Sequence, residues 1–191
     1  MAFVRKPKKL PILNLTERVV QDILGQFDDH VKRYDVMIPH CMTQTDSEAD
    51  LFGIRSSGFC DEFEIKLSRS DFLRDRKKVV TYRERHPSEV EGKTFPPPEN
   101  AELVPWEKFK LDALGDGDMV ANYFWYVIKV GIVDCSAIPD FAGVIEVDHY
   151  GLLKVVRSPE KLHGRKLSFE QRFKYSSLLS ARFWKYRANA T

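Results

Sequence analysis

The stretch EADLFGIRSSGFCDEFEIKLSRSDFLRDRKK, from Glu48 to Lys78, decides the fold of this chain. Polar and apolar side chains tend to alternate along residues 49–55 and 59–67, and both segments are rich in β-branched and aromatic residues. This pattern predicts two β-strands. Between them lies Ser56-Ser57-Gly58, a three-residue loop whose glycine can adopt the left-handed conformation that such loops need. The stretch therefore predicts a β-hairpin that leads into a basic helix.

The short loop also predicts which residues of the two strands face each other. Counting outward from the loop places Asp50 opposite Glu64 and Glu48 opposite Lys66. Because residues two apart in a strand share a face, these four side chains should cluster on one side of the hairpin. The alternate side chains of the second strand should point to a core: Phe63, Ile65 and Leu67.

Three carboxylates in one cluster repel each other and require a compensating positive charge. Lys66 offsets part of the charge, and a divalent cation is the natural partner of Asp50 and Glu64. Oxygen ligands with no His or Cys nearby favour Mg²⁺ or Mn²⁺. Such an ion polarises a phosphoryl oxygen and lowers the pKa of bound water, while a nearby ammonium stabilises developing negative charge. These residues therefore indicate hydrolysis of a phosphodiester.

The motif residues resemble a known superfamily. Asp50, followed about fourteen residues later by Glu64-Ile65-Lys66, resembles the PD-(D/E)xK nucleases. The stretch 48–78 is similar to small bacterial and phage proteins related to the MmcB-like DNA-repair family, whose pattern continues with S-R-S-D-F and a D-x-x-K helix. Residues 123–148, YFWYVIKVGIVDCSAIPDFAGVIEVD, are similar to the second half of that pattern. The resemblance covers about half of the chain.

This resemblance implies an α/β (α+β) fold with a restriction-endonuclease-like core, in which helices flank a mixed central sheet. It also implies a Mg²⁺-dependent deoxyribonuclease that acts in DNA repair, DNA processing or phage DNA metabolism. Asp50 and Glu64 would bind the metal with the carbonyl of Ile65, and Lys66 would position or activate the attacking water. Glu48 would contact one of these ligands without touching the metal, or would bind the metal in place of one of them. Some members of the superfamily keep the fold and lose the activity.

A basic helix is expected after the hairpin. Ser68 is a good N-cap, Asp71 stands at the capping-box position, and the helix should run through Arg85. Its basic residues predict a phosphate-binding face. One flank of this helix carries Asp71, Asp75, Lys78 and Tyr82. This flank is interpreted equally well as a surface near the DNA backbone or as an ion-paired surface stripe. The residues expected to contact DNA are Arg69, Arg74, Lys77, Lys78 and Tyr82.

The segments before the hairpin are predicted to be a basic tail over residues 1–10, a helix and a first strand. Asn14 is the expected N-cap of the helix, and Glu17 stands three residues later, where a capping box has its acid. In the resembled superfamily an acid of the first helix sometimes joins the metal site, and Glu17 is the matching residue. Both roles of Glu17 stay open. The first strand is expected over Tyr34 to Ile38.

The second half of the chain should complete the sheet. Residues 86–120 contain Pro96-Pro97-Pro98 and predict an insertion with one short helix. Three further strands are expected at 121–129, 143–148 and 152–157, before a helix that begins after Ser168 and ends near Arg187. That helix should pack on the sheet. Two alternatives stay open: it pairs with a second copy, or it lies along DNA. Its expected buried side is Phe169, Phe173, Leu179, Phe183 and Trp184.

Length and composition limit the remaining possibilities. The 191 residues suit a single nuclease-like domain, 1–191, and the net charge of +2 means that DNA affinity must come from local clusters. Three cysteines without a C-x-x-C pair and the lack of a membrane-length apolar run fit the cytoplasm, or the host cytoplasm for a phage protein. DNA is the expected partner, and a second copy or a host or repair protein stays open. Alternative functions are a catalytically silent DNA-binding module and a phage-type inhibitor of a host protein.

Overall fold

A computed structural model describes residues 11–26, 33–43, 47–82 and 106–189. These residues form a six-stranded mixed sheet flanked by helices, which confirms the predicted fold class. The predicted basic tail and residues 86–105 of the predicted insertion lie outside the described residues. Within the described ranges, no helix is long and apolar enough to cross a bilayer.

The described helices are α1 (Glu17–Gln26), α2 (Arg69–Asp75), α3 (Lys110–Gly115) and α4 (Phe169–Asn189). The strands of the main sheet are β1 (Tyr34–Met42), β2 (Glu48–Arg55), β3 (Cys60–Lys66), β6 (Tyr123–Lys129), β7 (Gly143–Val147) and β8 (Leu153–Arg157). A second, two-stranded sheet consists of β4 (Val79–Tyr82) and β5 (Trp106–Phe109).

The main sheet has the order β1-β2-β3-β6-β7-β8, so β3 and β6 occupy its centre. The pairs β3–β6 and β6–β7 are parallel, and the other pairs are antiparallel. Every residue of β3 is buried. A central strand with neighbours on both sides therefore carries the Glu64-Ile65-Lys66 motif into the interior.

The hairpin forms as predicted. Leu51 pairs with Phe63 and Ile54 with Cys60, which is the register obtained by counting outward from the loop. Gly58 has a positive φ of 86°, the conformation that the loop requires. The side chains of β3 then alternate, so that one face packs on α1 and the core residues of β6. The β3 residues on that face are Phe63 and Ile65, and Leu67, directly after the strand, is partly buried against the same cluster.

The start of α1 differs from the expectation. The Thr16 hydroxyl, and not Asn14, accepts a hydrogen bond from the amide of Val19 at 3.3 Å. The helix begins at Glu17, so the predicted capping box is wrong. Glu17 instead accepts a hydrogen bond at 3.2 Å from the side chain of Gln21, one turn later. Glu17 is therefore oriented by its own helix and not used as a cap.

The helix after the hairpin is much shorter than expected. Ser68 caps it, since its hydroxyl accepts a hydrogen bond from the amide of Asp71 at 3.2 Å, but α2 ends at Asp75. The prediction of a helix through Arg85 is wrong, because residues 79–82 form β4 and pair with β5. The run Val-Val-Thr-Tyr has high β-propensity, and β5 supplies the partner strand that it needs.

The last helix is capped as predicted, but a different side of it is buried. The hydroxyl of Ser168 accepts a hydrogen bond from the amide of Gln171 at 3.2 Å. Tyr175 is the buried residue of α4 and belongs to a core cluster that includes Phe52. Leu179 is partly buried and packs against that cluster. The expected buried side is therefore wrong for its aromatic members, which are exposed: Phe169, Phe173, Phe183 and Trp184.

Candidate active site

A cavity of about 260 Å³ opens at the end of the hairpin, where β3 leads into α2. It gathers side chains from α1, β2, β3 and α2, and from the turn before β4. The lining residues are Glu17, Asp50, Glu64, Ile65, Lys66, Asp71, Arg74, Asp75 and Lys78. The cavity thus brings together Asp50, Glu64, Ile65 and Lys66 as predicted, and adds Glu17 from the first helix.

Two hydrogen bonds hold Asp50 in place. One of its carboxylate oxygens accepts a hydrogen bond from the amide of Ile65 at 2.7 Å. Its own carbonyl accepts a hydrogen bond at 2.7 Å from the side chain of Gln21, which also donates to Glu17. The carboxylate of Asp50 is therefore fixed beside the backbone of β3, and α1 is tied to the same point.

The environment of Asp50 favours its neutral form. Burial, followed by the negative charge of Glu64, raises the pKa of Asp50 from its ordinary value to about 7. The hydrogen bond from the amide of Ile65 opposes this shift, and the nearby Glu17 adds to it. Because burial is the larger cause, the ionised form of Asp50 lacks solvation in the cavity, and an added cation would stabilise it.

Glu64 is buried and surrounded by three lysines. Its Oε1 accepts hydrogen bonds from Lys66 at 2.7 Å and Lys78 at 2.5 Å, and its Oε2 accepts one from Lys110 at 2.7 Å. Burial would raise the pKa of Glu64, but the ammonium groups of Lys110, Lys66 and Lys78 outweigh burial and hold it below its ordinary value. Glu64 is therefore ionised and held on both oxygens.

Lys110 extends this cluster into the core. It is fully buried and lies 2.8 Å from Glu62 as well as 2.7 Å from Glu64. Burial opposes its charge, but Glu62 and Glu64 keep the pKa of Lys110 above its ordinary value. Asp75 closes the other side, at 3.3 Å from Lys66, and it accepts a hydrogen bond from the hydroxyl of Tyr126 at 2.7 Å. The result is a buried network of alternating charges.

Glu48 does not join this cavity as expected. It pairs with Met42 of β1, and its carboxylate lies 3.1 Å from the ring of His40 instead of facing Lys66. The same ring nitrogen lies 3.5 Å from Glu17. The β2–β3 ladder runs only from Ile54 to Leu51 on the β2 side, so the counted register does not extend to Glu48. Glu48 thus supports a cavity residue through His40.

Because α2 is shorter than expected, the residues expected to bind DNA do not lie on one helix. Arg74 lines the cavity and pairs with Asp71 at 3.0 Å, and Lys78 lines it as well. Arg69 and Lys77 are exposed and lie outside the lining. Tyr82 belongs to β4 and pairs with Trp106, so the expected common helix flank is wrong. The three other members of that flank nevertheless line one cavity: Asp71, Asp75 and Lys78.

Sequence reasoning missed Lys110, Glu62 and Tyr126. A usable signal was the pattern Glu62, Glu64, Lys66, because ionisable residues at alternate positions of a central strand need buried partners. No local signal identified Lys110, which lies 46 residues after Glu64 in the predicted insertion. Its role follows only from the packing of α3 beside β3.

The donor atoms at the cavity fit Mg²⁺ or Mn²⁺. Within the described ranges, no group of three or more His, Cys, Asp or Glu residues is arranged to hold a metal ion. The oxygens available at the cavity are those of Asp50, Glu64 and the Ile65 carbonyl, which suit a hard cation. Lys78, whose side chain is 42% exposed, is the lysine on Glu64 that can move away most easily.

Comparisons with known proteins concern the fold alone. No protein family model matches this sequence, and no curated protein matches it. The structure is similar to that of a protein of unknown function from Silicibacter pomeroyi, with a TM-score of 0.56 and 15% identity. The alignment covers 92% of this chain and 94% of that protein. The two chains therefore share an architecture over nearly their whole length.

Proposed function

We propose that this protein is a metal-dependent nuclease that hydrolyses DNA phosphodiester bonds. The observation that carries this proposal is the common cavity of Glu17, Asp50, Glu64 and Lys66, which come from α1 and two strands. Buried carboxylates beside an ammonium suit metal-assisted phosphodiester hydrolysis. A cytoplasmic role in DNA repair or phage DNA processing belongs to the same proposal.

Six of the nine residues that line the cavity have a role in this reaction. Asp50, Glu64 and the carbonyl of Ile65 would hold the ion, which supplies polarisation of the phosphoryl oxygen and a more acidic bound water. Lys66 fixes the carboxylate of Glu64 at 2.7 Å and adds positive charge where negative charge develops. Arg74 and Lys78 line the same cavity and would bind the phosphate oxygens of the substrate.

The direct test is cleavage of plasmid and single-stranded circular DNA in the presence of Mg²⁺ or Mn²⁺. Asp50→Asn and Lys66→Met are expected to lower the cleavage rate by about 100-fold or more. Asp50→Asn should not unfold the protein, because asparagine keeps an acceptor for the Ile65 amide and removes an unfavourable charge. Glu160→Gln is the matched control, since Glu160 is exposed and lies outside the cavity lining. Full cleavage by both cavity variants would reject the proposal.

A second function, a DNA-binding module without turnover, is favoured by the contacts of Glu64. Both of its oxygens already accept hydrogen bonds from lysines, whose positive charges oppose an incoming metal ion. In that case the protein binds DNA equally well with and without metal and never cleaves it. Calorimetric titration with Mn²⁺ separates the two functions, because only the nuclease requires a metal complex that Asp50→Asn weakens.

Lys78→Met is expected to strengthen Mn²⁺ binding by about 10-fold, because it removes a positive charge next to the proposed metal ligand Glu64. The same variant should cleave DNA more slowly, since Lys78 would no longer bind substrate phosphate. Lys154→Met, at an exposed position of β8 outside the cavity, is the control and should change neither quantity. Unchanged or weaker Mn²⁺ binding in Lys78→Met would contradict a metal site at Glu64.

A further inference from the structure

The outer face of α4 is a row of exposed side chains with no role in the core. We define this face as Phe169, Phe173, Ser177, Ser180, Trp184 and Arg187, which follow the helical repeat. Phe169, Phe173 and Trp184 are 70%, 65% and 62% exposed. The opposite side of the helix packs on the sheet through Tyr175, whose ring centroid lies 5.2 Å from that of Phe52. The helix is therefore anchored on one side and leaves aromatic rings available on the other.

The charge of α4 indicates what kind of partner this face attracts. The helix carries five basic residues and one acidic residue, Glu170. Pairing with a second copy through the same face would bring two positively charged helices together, whereas a polyanion would be attracted. The basic residues are Arg172, Lys174, Arg182, Lys185 and Arg187. Arg187 lies on the outer face and the exposed Lys174 and Lys185 lie beside it, whereas Arg172 and Arg182 donate hydrogen bonds to backbone carbonyls of the protein body.

The aromatic side chains indicate that the polyanion has unpaired bases. The rings of Phe183 and Trp184 lie 5.4 Å apart, and the guanidinium of Arg187 lies 5.7 Å from the Trp184 ring and 5.9 Å from the Phe183 ring. Exposed aromatic rings and guanidinium planes stack on the bases of single strands. Bases in a duplex are already stacked on each other and offer no free face.

The C-terminal part of α4 lies close to the candidate active site. Arg182 donates hydrogen bonds to the carbonyls of Pro39 at 2.6 Å and His40 at 2.8 Å. The ring of His40 lies 3.5 Å from Glu17, which lines the cavity. The last turns of α4 therefore approach β1 near the cavity with the side that carries Arg182, and Trp184 lies on the other side of the helix.

We propose that the outer face of α4 binds single-stranded nucleic acid, with its aromatic rings stacking on bases and with Arg187 and the neighbouring Lys174 and Lys185 contacting phosphates. This inference deepens the proposed function, because it names the form of substrate that the cavity would receive. It does not require cleavage, so binding and turnover can be tested separately.

The test is fluorescence anisotropy with labelled dT20 and with a duplex of equal length, both in EDTA so that no cleavage occurs. The intact protein should bind dT20 at least about 10-fold more tightly than the duplex. Phe173→Ala combined with Trp184→Ala should weaken dT20 binding by about 30-fold or more, because each stacked base contributes about 1–3 kcal/mol. Lys185→Gln should reduce the slope of log affinity against log salt by about 0.7.

Leu178→Ala is the matched control, because Leu178 is an exposed apolar residue of α4 outside the outer face. It should leave dT20 binding unchanged. Equal affinity for dT20 and duplex, or unaltered dT20 binding in the double variant, overturns the inference. So does a dimer in light scattering that dissociates in the Trp184→Ala variant, because a second copy then occupies the face. Cleavage of duplex DNA without dT20 binding rejects this inference alone, whereas dT20 binding without cleavage rejects only the nuclease.

Discussion

Replacing Lys110 by methionine is expected to destabilise the protein by about 3–5 kcal/mol, the usual cost of leaving a buried ion pair without one partner. Lys110 is fully buried and lies within 2.8 Å of Glu62 and 2.7 Å of Glu64. Methionine fills a similar volume but has no charge. In the variant, Glu62 loses the cation that faces it in the described structure, and Glu64 keeps only Lys66 and Lys78. Urea denaturation followed by circular dichroism measures the loss.

Lys108→Met is the matched control for this experiment. Lys108 lies two residues earlier and also contacts two carboxylates, those of Asp116 and Asp118, but its side chain is partly exposed. Loss of such a partly exposed pair should cost about 1 kcal/mol or less. Adding Glu62→Gln to Lys110→Met should restore part of the stability, because the orphaned carboxylate is then neutral. Equal losses for Lys108→Met and Lys110→Met would contradict the assigned role of Lys110.

The hairpin could be predicted from sequence because its determinants are local. Gly58 sets the loop, and the loop sets the pairing as far as Leu51 and Phe63. Asp50 and Glu64 lie one pair beyond this ladder and still line the same cavity. Glu48 lies farther beyond it, and its carboxylate lies beside the ring of His40. The predicted register thus held over the β2–β3 ladder and did not extend to Glu48.

The length of α2 and the orientation of α4 could not be predicted because both depend on distant residues. Residues 79–82 fit a helix or a strand, and β5, which lies beyond the predicted start of the insertion, decides for a strand. In α4, Tyr175 and Trp184 lie on opposite sides, and the helical repeat alone does not tell which side packs on the sheet. The side that carries Tyr175 is the packed one, because the Tyr175 ring lies against Phe52 of β2.

The buried charges of the cavity followed the same division between local and distant determinants. Glu62, Glu64 and Lys66 could be assigned to one face of a central strand from their alternation. Their counter-charges come from the turn after α2 and from α3, through Lys78 and Lys110. Because these contacts span up to 46 residues, no local pattern could reveal that Glu64 is bound by three lysines.

Asp50→Asn is expected to stabilise the metal-free protein at pH 8 by about 2–4 kcal/mol. The pKa of Asp50 is raised to about 7 in the folded protein, so the folded state binds its proton more tightly than the unfolded state does. The stability that the proton contributes is complete below the ordinary pKa, near 4, and is lost as the pH rises through 7. Asparagine does not titrate and still accepts the hydrogen bond from the Ile65 amide.

The measurement is urea denaturation of both proteins in EDTA between pH 5 and pH 8. The stability of wild type relative to Asp50→Asn should fall as the pH rises and level off above about pH 7. Taking the difference between the two proteins removes the contribution of groups that titrate equally in both. A difference that stays constant over this range would show that Asp50 is already ionised at pH 5.

Divalent metal should reverse this effect in wild type. The three lysines around Glu64 also lie beside the carboxylates of Glu62 and Asp75. Ionisation of Asp50 adds a further buried negative charge, and a cation at the cavity would neutralise it. Mg²⁺ or Mn²⁺ at pH 8 should therefore raise the stability of wild type and leave Asp50→Asn nearly unchanged. Equal stabilisation of the two proteins would place the bound metal away from Asp50.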